Sequence, residues 1–455
     1  MIFGDWPWRH WRSLRPDARA LRLGDECLTW RQLCRRIDAL AAGFIAQGVR
    51  PEQGVMLRAY NHPQTLLAWL ALLQCGARIL PVNPQIPRAL LAALLPHFSV
   101  SHALLLADDA PFDALATFCL REAQGACDAG WQPERLATLT LTSGSSGLPK
   151  AAAHTPAGHL ASAAGVLALL PFNEGEDWQL SLPLYHVSGQ GILWRWLLKG
   201  AGLTVRERLP LAQALAGCTH ASLVPTQLWR LLNDDAPLSL TCGLRGGAAI
   251  PVALAEASRA RGIQTFCGYG LTEFASTVCA KETDGEADVG RPLPGREVRI
   301  VDGEIWLRAA SMAAGYWRDG ALLPLVNAEG WFATRDRGEL RDGRLTVLGR
   351  MDNLFFCGGE GIQPEEVERI IGRHPQLEQV FIVPLDAAEF GQRPVAVVEG
   401  SAELDIEQLP GWAKARLACF QQPVCWLRLP ASLKTGGIKI SRRALREWVN
   451  ATLRG

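Results

Sequence analysis

An α/β fold is predicted by three features of the sequence. Short apolar runs alternate with helix-period segments through residues 1–290, Asp-Gly dipeptides punctuate short strands between 291 and 350, and a compact mixture of helix and strand patterns follows from Met351. Strands alternating with helices imply a largely parallel sheet covered on both faces. The expected architecture is a large N-terminal domain of mixed, largely parallel sheets with helices plus a small antiparallel barrel, residues 1–350, and a small C-terminal α+β domain, residues 351–455. A chain of 455 residues is long enough for both.

The elements follow in order. Thr29-Trp-Arg-Gln32 reads as a capping box, and behind it Leu33, Ile37, Leu40, Ala41 and Phe44 recur at helical spacing until Gly48. Strands are expected at Val55–Ala59, Ile79–Val82 and Ala103–Leu106, and helices over Pro63–Cys75 and His159–Leu170. Gln179–Pro183 reads as a strand delivering Leu184-Tyr-His-Val-Ser-Gly189, before a helix through Trp194–Leu198. Ser222–Val224 is a strand candidate, with Thr226 as the cap of the next helix. Leu244–Pro251 and Thr265–Glu273 read as strands opening into glycine loops. Hairpin turns are expected at Asp302-Gly303 and Asp342-Gly343, and a helix from Pro364 to about Gly372.

Composition removes several function classes. The formal net charge is +1, which does not suit a polyanion partner such as nucleic acid, and Arg442, Arg443 and Arg446 read as a solvated helix face. Twelve cysteines include no C-x-x-C pair, so they read as small core residues of a reducing compartment. The N-terminus lacks a signal-peptide pattern and the longest apolar stretch, Leu66–Leu73, cannot span a bilayer. A cytoplasmic protein without a membrane span is expected, with oligomeric state open, a homo-oligomer included.

The stretch with most chemical character is Thr140-Leu-Thr-Ser-Gly-Ser-Ser-Gly-Leu-Pro-Lys150. Its glycines let backbone N–H groups approach phosphate oxygens, its hydroxyls add rotatable donors, and Lys150 adds a point charge. It is not a P-loop, because Pro149 and Ala151 flank the lysine where that motif requires glycine and a hydroxyl residue.

Taken with the other junctions, this loop resembles the acyl-adenylate-forming superfamily, which includes acyl-CoA synthetases and amino-acid adenylation domains. The resemblance covers nearly the whole chain. It rests on Leu28-Thr-Trp30, Pro81-Val-Asn-Pro84, the loop itself, Gly246-Gly-Ala248, Tyr269-Gly-Leu-Thr-Glu273, Thr334-Arg-Asp-Arg-Gly338, Gly349-Arg350, Gly358-Gly-Glu-Gly361 and Lys439-Ile-Ser-Arg442. Such enzymes join a carboxylate to the α-phosphorus of ATP and then exchange AMP for a thiol, so two anions must meet and charge must be neutralised where it develops.

The resemblance implies a role for each position. Thr142, Ser143, Gly144, Ser145, Ser146, Gly147 and Lys150 hold the β- and γ-phosphates. Gly246, Gly247, Ala248, Tyr269 and Gly270 frame the adenine side. Thr272 meets the α-phosphate, Asp336 and Arg350 the ribose, and Glu273 Mg²⁺. Lys439 bridges the attacking carboxylate and the α-phosphate. The family's usual glycine before this lysine is Ile438 here, which makes Lys434 a rival. Asp352 marks the hinge about which a mobile C-terminal domain turns, and Gly358 and Gly359 let the pantetheine of CoA pass. Asn353 and Phe356 depart from the aspartate and lysine of many relatives. Taken singly, Asp336, Arg350 and Glu273 would read as surface charges and His186 as a structural histidine.

The stretch Ser181–Arg195 points, within the family, to ligases for an aromatic acid with two carboxylates. His186 is assigned to catalysis and to the acid pocket. Ser188, Arg195 and Thr277 are candidate contacts for the carboxylate that is not activated. An outward-facing Arg195 is the competing reading. The other readings are a ligase for a different acid, an amino-acid adenylation domain, and an inactive nucleotide-binding relative.

Overall fold

A computed structural model describes residues 3–107, 110–125, 129–142, 150–206, 209–234, 236–246, 252–387, 391–401, 404–434 and 440–454. The chain divides into two compact units, residues 1–298 with 307–332 and residues 299–306 with 333–455.

Two large sheets build the first unit. In spatial order one holds Arg291–Pro292, Ser276–Glu282, Gln264–Leu271, Cys242–Gly246, His220–Ser222, Asp177–Gln179, Gly202–Val205, Arg19–Leu23 and Glu26–Thr29. The other holds Ala321–Leu323, Gly315–Arg318, Lys150–His154, Thr138–Thr142, Arg78–Val82, Gly54–Arg58, Val100–Leu105 and Ala116–Phe118. Pairing is parallel through the middle of both, as at Leu244↔Phe266 and Val55↔Ile79. It turns antiparallel where Gln264–Leu271 meets Ser276–Glu282 and where Thr138–Thr142 meets Lys150–His154. Mixed, largely parallel sheets are what the strand–helix alternation predicts.

One apolar cluster draws on both sheets and on the helices Trp30–Ala46, Pro63–Gln74, Pro156–Leu169 and Val187–Lys199. Pro63–Gln74 is apolar on every side, and all but its first two residues are buried, as an all-round hydrophobic helix requires. Trp30 stacks on Trp196 at 5.4 Å, and Trp196 Nε1 donates to the Ala20 carbonyl at 2.9 Å, so the Trp196 ring is buried with its polar tip satisfied. Thr29 caps Trp30–Ala46 with both bonds of the capping box.

In the second unit, Arg296–Val301, Glu304–Ala309, Phe332–Arg341 and Arg344–Arg350 form a four-stranded sheet, three of whose strands the unit boundary crosses. Its order is open, so the expected small barrel is a sheet. Asp302 and Gly303 have φ of 49° and 77°, and Asp342 and Gly343 have 50° and 74°, the left-handed pair that a two-residue hairpin requires. A five-stranded sheet follows, made by Phe355–Cys357, Glu360–Ile362, Leu377–Ala387, Gly391–Gly400 and Cys425–Arg428. Helix Pro364–Ile371 contributes to one apolar cluster on this sheet and helix Arg442–Arg454 to another. Among the described residues no helix is long and apolar enough to cross a membrane.

Several local expectations change. Gly268-Tyr-Gly-Leu271 is strand rather than loop. Its glycines are there because the neighbouring strand is close: a Cβ on Gly270 would lie 1.9 Å from the Ser276 carbonyl oxygen. The strand expected at Gln179–Pro183 is Asp177–Gln179. Helix Pro225–Leu232 is entered at Val224, whose N–H donates to Gln227 Oε1 at 3.0 Å, so Thr226 is not its cap. Lys150–His154 was not expected as a strand, because three alanines carry little strand preference; its pairing on both sides decides it. Arg442 does not belong to a solvated face, since it pairs with Glu368 at 2.6 Å.

Two buried histidines lie under the phosphate-loop strands. His159 shares a 2.9 Å hydrogen bond with Thr138 Oγ1 and stacks on Trp194 at 5.2 Å, while the His154 ring lies 5.0 Å from the His159 ring. Burial pushes His154 down to about 4, with the Thr272 backbone opposing, and pushes His159 well below its ordinary value, with His154 adding to the effect. A histidine whose folded pKa is depressed below the unfolded 6.5 contributes stability that is complete above that value and lost as pH falls toward the folded one. Unfolding free energy is expected to drop by about 1.4 kcal/mol per pH unit through His154 as pH falls from ~6.5 toward ~4, with the depressed His159 adding to the loss in the same direction. Urea titrations at a series of pH values measure it. A midpoint that stays flat across this range would contradict neutral burial.

Candidate functional site

The phosphate-loop candidates sit on a hairpin. Thr142 ends one strand and pairs directly with Lys150, which begins the next. Ser143, Gly144, Ser145, Ser146 and Gly147 lie outside the described residues. This strand–loop–strand layout differs from a P-loop, where a helix follows. Lys150 is exposed and its Nζ lies 4.8 Å over the Tyr316 ring. The Tyr316 hydroxyl in turn donates to Glu273 Oε1 at 2.7 Å. Tyr316 reaches this place because Gly315–Arg318 pairs with Lys150–His154, Tyr316 opposite Ala152. The lysine of one junction and the glutamate of another thus share one aromatic neighbour that sequence reasoning missed. Its signal was no more than an aromatic pair, Tyr316-Trp317, after a glycine.

Glu273 lies in the short 3-10 turn Thr272–Phe274, which ends the strand carrying Tyr269 and Gly270. Tyr269 is buried, and Gly246 pairs with Gly268 beside it; Gly247 and Ala248 lie outside the described residues. The turn reverses through Ala275 and Ser276 at φ of 51° and 109°, left-handed values that side-chain-bearing residues rarely adopt. It is held from behind: Ser162 Oγ donates to the Ala275 carbonyl at 2.7 Å, and Arg296 donates to the carbonyls of Thr277, Pro294 and Ser162 at 3.0, 2.7 and 3.0 Å.

The acid-site candidates come from the helix Val187–Lys199 and the strand Ser276–Glu282. His186 is the helix N-cap and Ser188 is in its first turn, both half-buried. Gly189 is required there, since a Cβ would lie 2.2 Å from the Pro183 carbonyl oxygen. Gln190 is fully buried and its Nε2 donates to Thr140 Oγ1 at 3.0 Å and to the Leu184 carbonyl at 3.1 Å, tying the phosphate-loop strand to the His186 loop. Arg195 faces inward, with 2% of its surface exposed, its guanidinium 5.2 Å from the Trp178 ring and its Nε unbonded. Among the described residues no carboxylate pairs with it. Burial pulls it down to about 9, with Arg296 adding to the effect, so it remains a cation at neutral pH. A Cβ on Gly191 would lie 3.1 Å from Arg195 Nη2 and 3.4 Å from Ser276 Cβ, so the guanidinium and the segment next to buried Thr277 border the same small space.

The remaining described candidates belong to the second unit. Asp336 and Arg350 are cross-strand partners, joined at 3.0 Å, and Arg350 Nη1 also donates to the Thr334 carbonyl at 3.1 Å. Asp336 is buried, not a surface carboxylate. Burial opposes the charge on Arg350, and the Asp336 and Asp352 carboxylates outweigh it. Asp352 bridges Arg335 at 2.8 Å and Arg350 at 3.3 Å. Gly358 and Gly359, with φ of 58° and 86°, form the exposed turn between Phe355–Cys357 and Glu360–Ile362. Lys439 lies outside the described residues; its rival Lys434 donates to Glu399 Oε1 at 2.6 Å.

A family model described as AMP-binding enzyme matches residues 8–317, and the chain belongs to that family. It is 65% identical over 450 residues to the 2-succinylbenzoate–CoA ligase of Escherichia coli, the match covering 99% of each chain. It superposes on an R195K variant of E. coli MenE with bound OSB-AMS at a TM-score of 0.95, with 64% identity over 99% of this chain and 100% of that one. Bacillus subtilis MenE in complex with the acyl-adenylate intermediate OSB-AMP matches at a TM-score of 0.86 and 25% identity, over 98% and 99% of the two chains.

Replacing Tyr316 with Phe removes the hydroxyl donor to Glu273 and leaves the ring beneath Lys150. A hydrogen bond to a charged group contributes about 1.5 kcal/mol, so KM for ATP is expected to rise by up to about tenfold, with a cooperative thermal transition retained. Steady-state kinetics with ATP as the varied substrate test this.

Proposed function

We propose that the protein converts 2-succinylbenzoate, ATP and CoA to 2-succinylbenzoyl-CoA, AMP and pyrophosphate through an acyl-adenylate, as a step of menaquinone biosynthesis. The similarity to 2-succinylbenzoate–CoA ligases along practically the whole chain supports the reaction. The observation that carries the choice of acid is Arg195, a buried cation without a carboxylate partner among the described residues. An isolated buried charge is strongly unfavourable, and an acid with a second, unreacted carboxylate supplies the partner. Ser188 and Thr277 complete that contact with hydroxyls. A purely aliphatic acid would leave the guanidinium unpaired.

In the first step an oxygen of the aliphatic carboxylate forms a bond to the α-phosphorus, and the bond to the bridging oxygen breaks, so pyrophosphate leaves with the electron pair. Lys150 and the loop from Thr142 hold the leaving phosphates, Thr272 the α-phosphate, and Lys439 both reacting anions. Tyr269 and residues 246–248 take the adenine; Asp336 accepts from the ribose hydroxyls, fixed by Arg350. The Glu273 carboxylate, oriented by Tyr316, fits Mg²⁺, an ion that takes one or two carboxylates and otherwise phosphate and water oxygens. When bound it would supply positive charge to the phosphates. His186 borders the acid. In the second step the CoA sulfur attacks the acyl carbon, AMP departs, and the thiol proton is released. Rotation of residues 351–455 about Asp352 would exchange Lys439 for the Gly358-Gly359 turn between the two steps. The commitment of Lys434 to Glu399 supports Lys439 as the reactive lysine. The described cysteines are free thiols, which fits a cytoplasmic site for this reaction.

Lys439→Ala is expected to lose acid-dependent ATP–pyrophosphate exchange and to keep transfer of supplied acyl-AMP to CoA; the same pattern in Lys434→Ala instead would reassign the lysine. Arg195→Ala is expected to raise KM for 2-succinylbenzoate on the order of 10²-fold, the loss of one partner of a buried charge pair, with KM for ATP little changed. An unaltered KM would remove Arg195 from the acid site. Exchange across a panel of acids separates this reading from a ligase of another aryl or acyl acid, and absence of any acid-dependent exchange would indicate an inactive relative.

A further inference from the structure

The residues immediately after Lys439 are each held by a different interaction. Ile440 joins the apolar cluster of Val383, Val395, Val397, Leu429 and Leu445. Ser441 Oγ accepts from the Ala444 N–H at 3.3 Å, capping the helix Arg442–Arg454. Arg442, the first residue of that helix, donates through Nη2 to Glu368 Oε2 at 2.6 Å and through Nη1 to the Ile382 carbonyl at 3.2 Å. Glu368 Oε1 meanwhile accepts from the Ile382 N–H at 2.7 Å. Glu368 and Arg442 therefore grip both backbone groups of one residue on the strand Leu377–Ala387 and each other as well.

This clamp is buried on the Glu368 side, whose side chain is 14% exposed, and it extends along the helix Pro364–Ile371. One turn earlier Glu365 lies 3.5 Å from Arg442 and accepts from Asn353 Nδ2 and Gln363 Nε2. Gln363 Nε2 also donates to the Arg350 carbonyl at 3.0 Å. One helical turn thus touches the residue beside the hinge on one side and the lysine segment on the other. Lys439 is one peptide bond from Ile440 and within about 11 Å of Arg442 along even a fully extended chain.

We propose that Glu368 and Arg442 are positioning residues for Lys439: their partly buried ion pair on Ile382 fixes Ile440–Arg442, the chain that directly follows the lysine, to the strand Leu377–Ala387. Neither touches substrate. Their effect is confined to the step that needs the lysine. Transfer of the acyl group to CoA relies on the separate Gly358-Gly359 turn and does not depend on the clamp. The proposal rests on the assignment of Lys439 to adenylate formation.

The test uses the full chain and three variants, Glu368→Gln, Arg442→Lys and Lys439→Ala, each checked for a cooperative thermal transition. Glu368→Gln retains the shape of the side chain and an acceptor for the Ile382 N–H, so it stands alone if Arg442→Lys does not fold. Two rates are read with 2-succinylbenzoate as the acid: ATP–pyrophosphate exchange, and transfer of presynthesised acyl-AMP to CoA. The expected result is a fall of tenfold or more in exchange for Glu368→Gln and Arg442→Lys, with transfer changed less than twofold. An equal fall in both rates would show a merely structural pair and overturn the proposal, as would unaltered exchange in both clamp variants while Lys439→Ala loses it. Exchange retained in Lys439→Ala would overturn the lysine assignment itself, and the clamp's role with it.

Discussion

The first unit is organised around two buried guanidinium groups that no carboxylate among the described residues neutralises. Arg296 is satisfied by backbone: three carbonyls, from a strand, a helix and the loop just before it, accept from it, and a Cβ on Gly165 would lie 1.9 Å from its Nη1, so a larger residue there would displace the guanidinium. Arg195 is carried on the inner face of the neighbouring helix Val187–Lys199, with the Trp178 ring 5.2 Å from its guanidinium. Burial disfavours the charge on both, and the Arg296 guanidinium adds to the effect on Arg195. A fold that keeps such a pair gains most from a ligand that brings negative charge.

Around these cations the backbone comes unusually close to itself. Gly189 lets the start of its helix lie on the Pro183 carbonyl, and Gly270 lets two strands meet at a bulge. The left-handed Ala275 and Ser276 follow, held by Ser162 and Arg296. Strain of this kind persists only where surrounding contacts over-determine it. Here it turns the chain sharply enough to set Thr272 and Glu273 on one side of a reversal and Thr277 on the other. The second unit uses a different device. Asp336, Arg350, Asp352 and Arg335 form a chain of charges on adjacent strands, and Glu365, Glu368 and Arg442 form another through a helix.

Legibility in the sequence followed range. Elements whose cause is local were readable: the Thr29 box, the two Asp-Gly turns, and the Pro364 helix start. Elements whose cause is a neighbour were not. Lys150–His154 is a strand only because two other strands bind it, and Gly268–Leu271 resembles a loop until its antiparallel partner is seen. Arg442 read as a surface charge because Glu368 is far away in sequence.

By itself, the sequence determined the fold class and the order of the junctions, since hydrophobic period and turn residues are written locally, and the shared chemistry came with the family resemblance that this order carries. Tertiary structure decided which polar groups are isolated from water and which others they meet. It turned Arg195 inward, joined Lys150 to Glu273 through Tyr316, and bound Gln190 to Thr140 across fifty residues of chain. The physical reason is that burial and long-range pairing set the energy of a charge or a hydrogen bond, and neither is a property of a residue and its immediate neighbours.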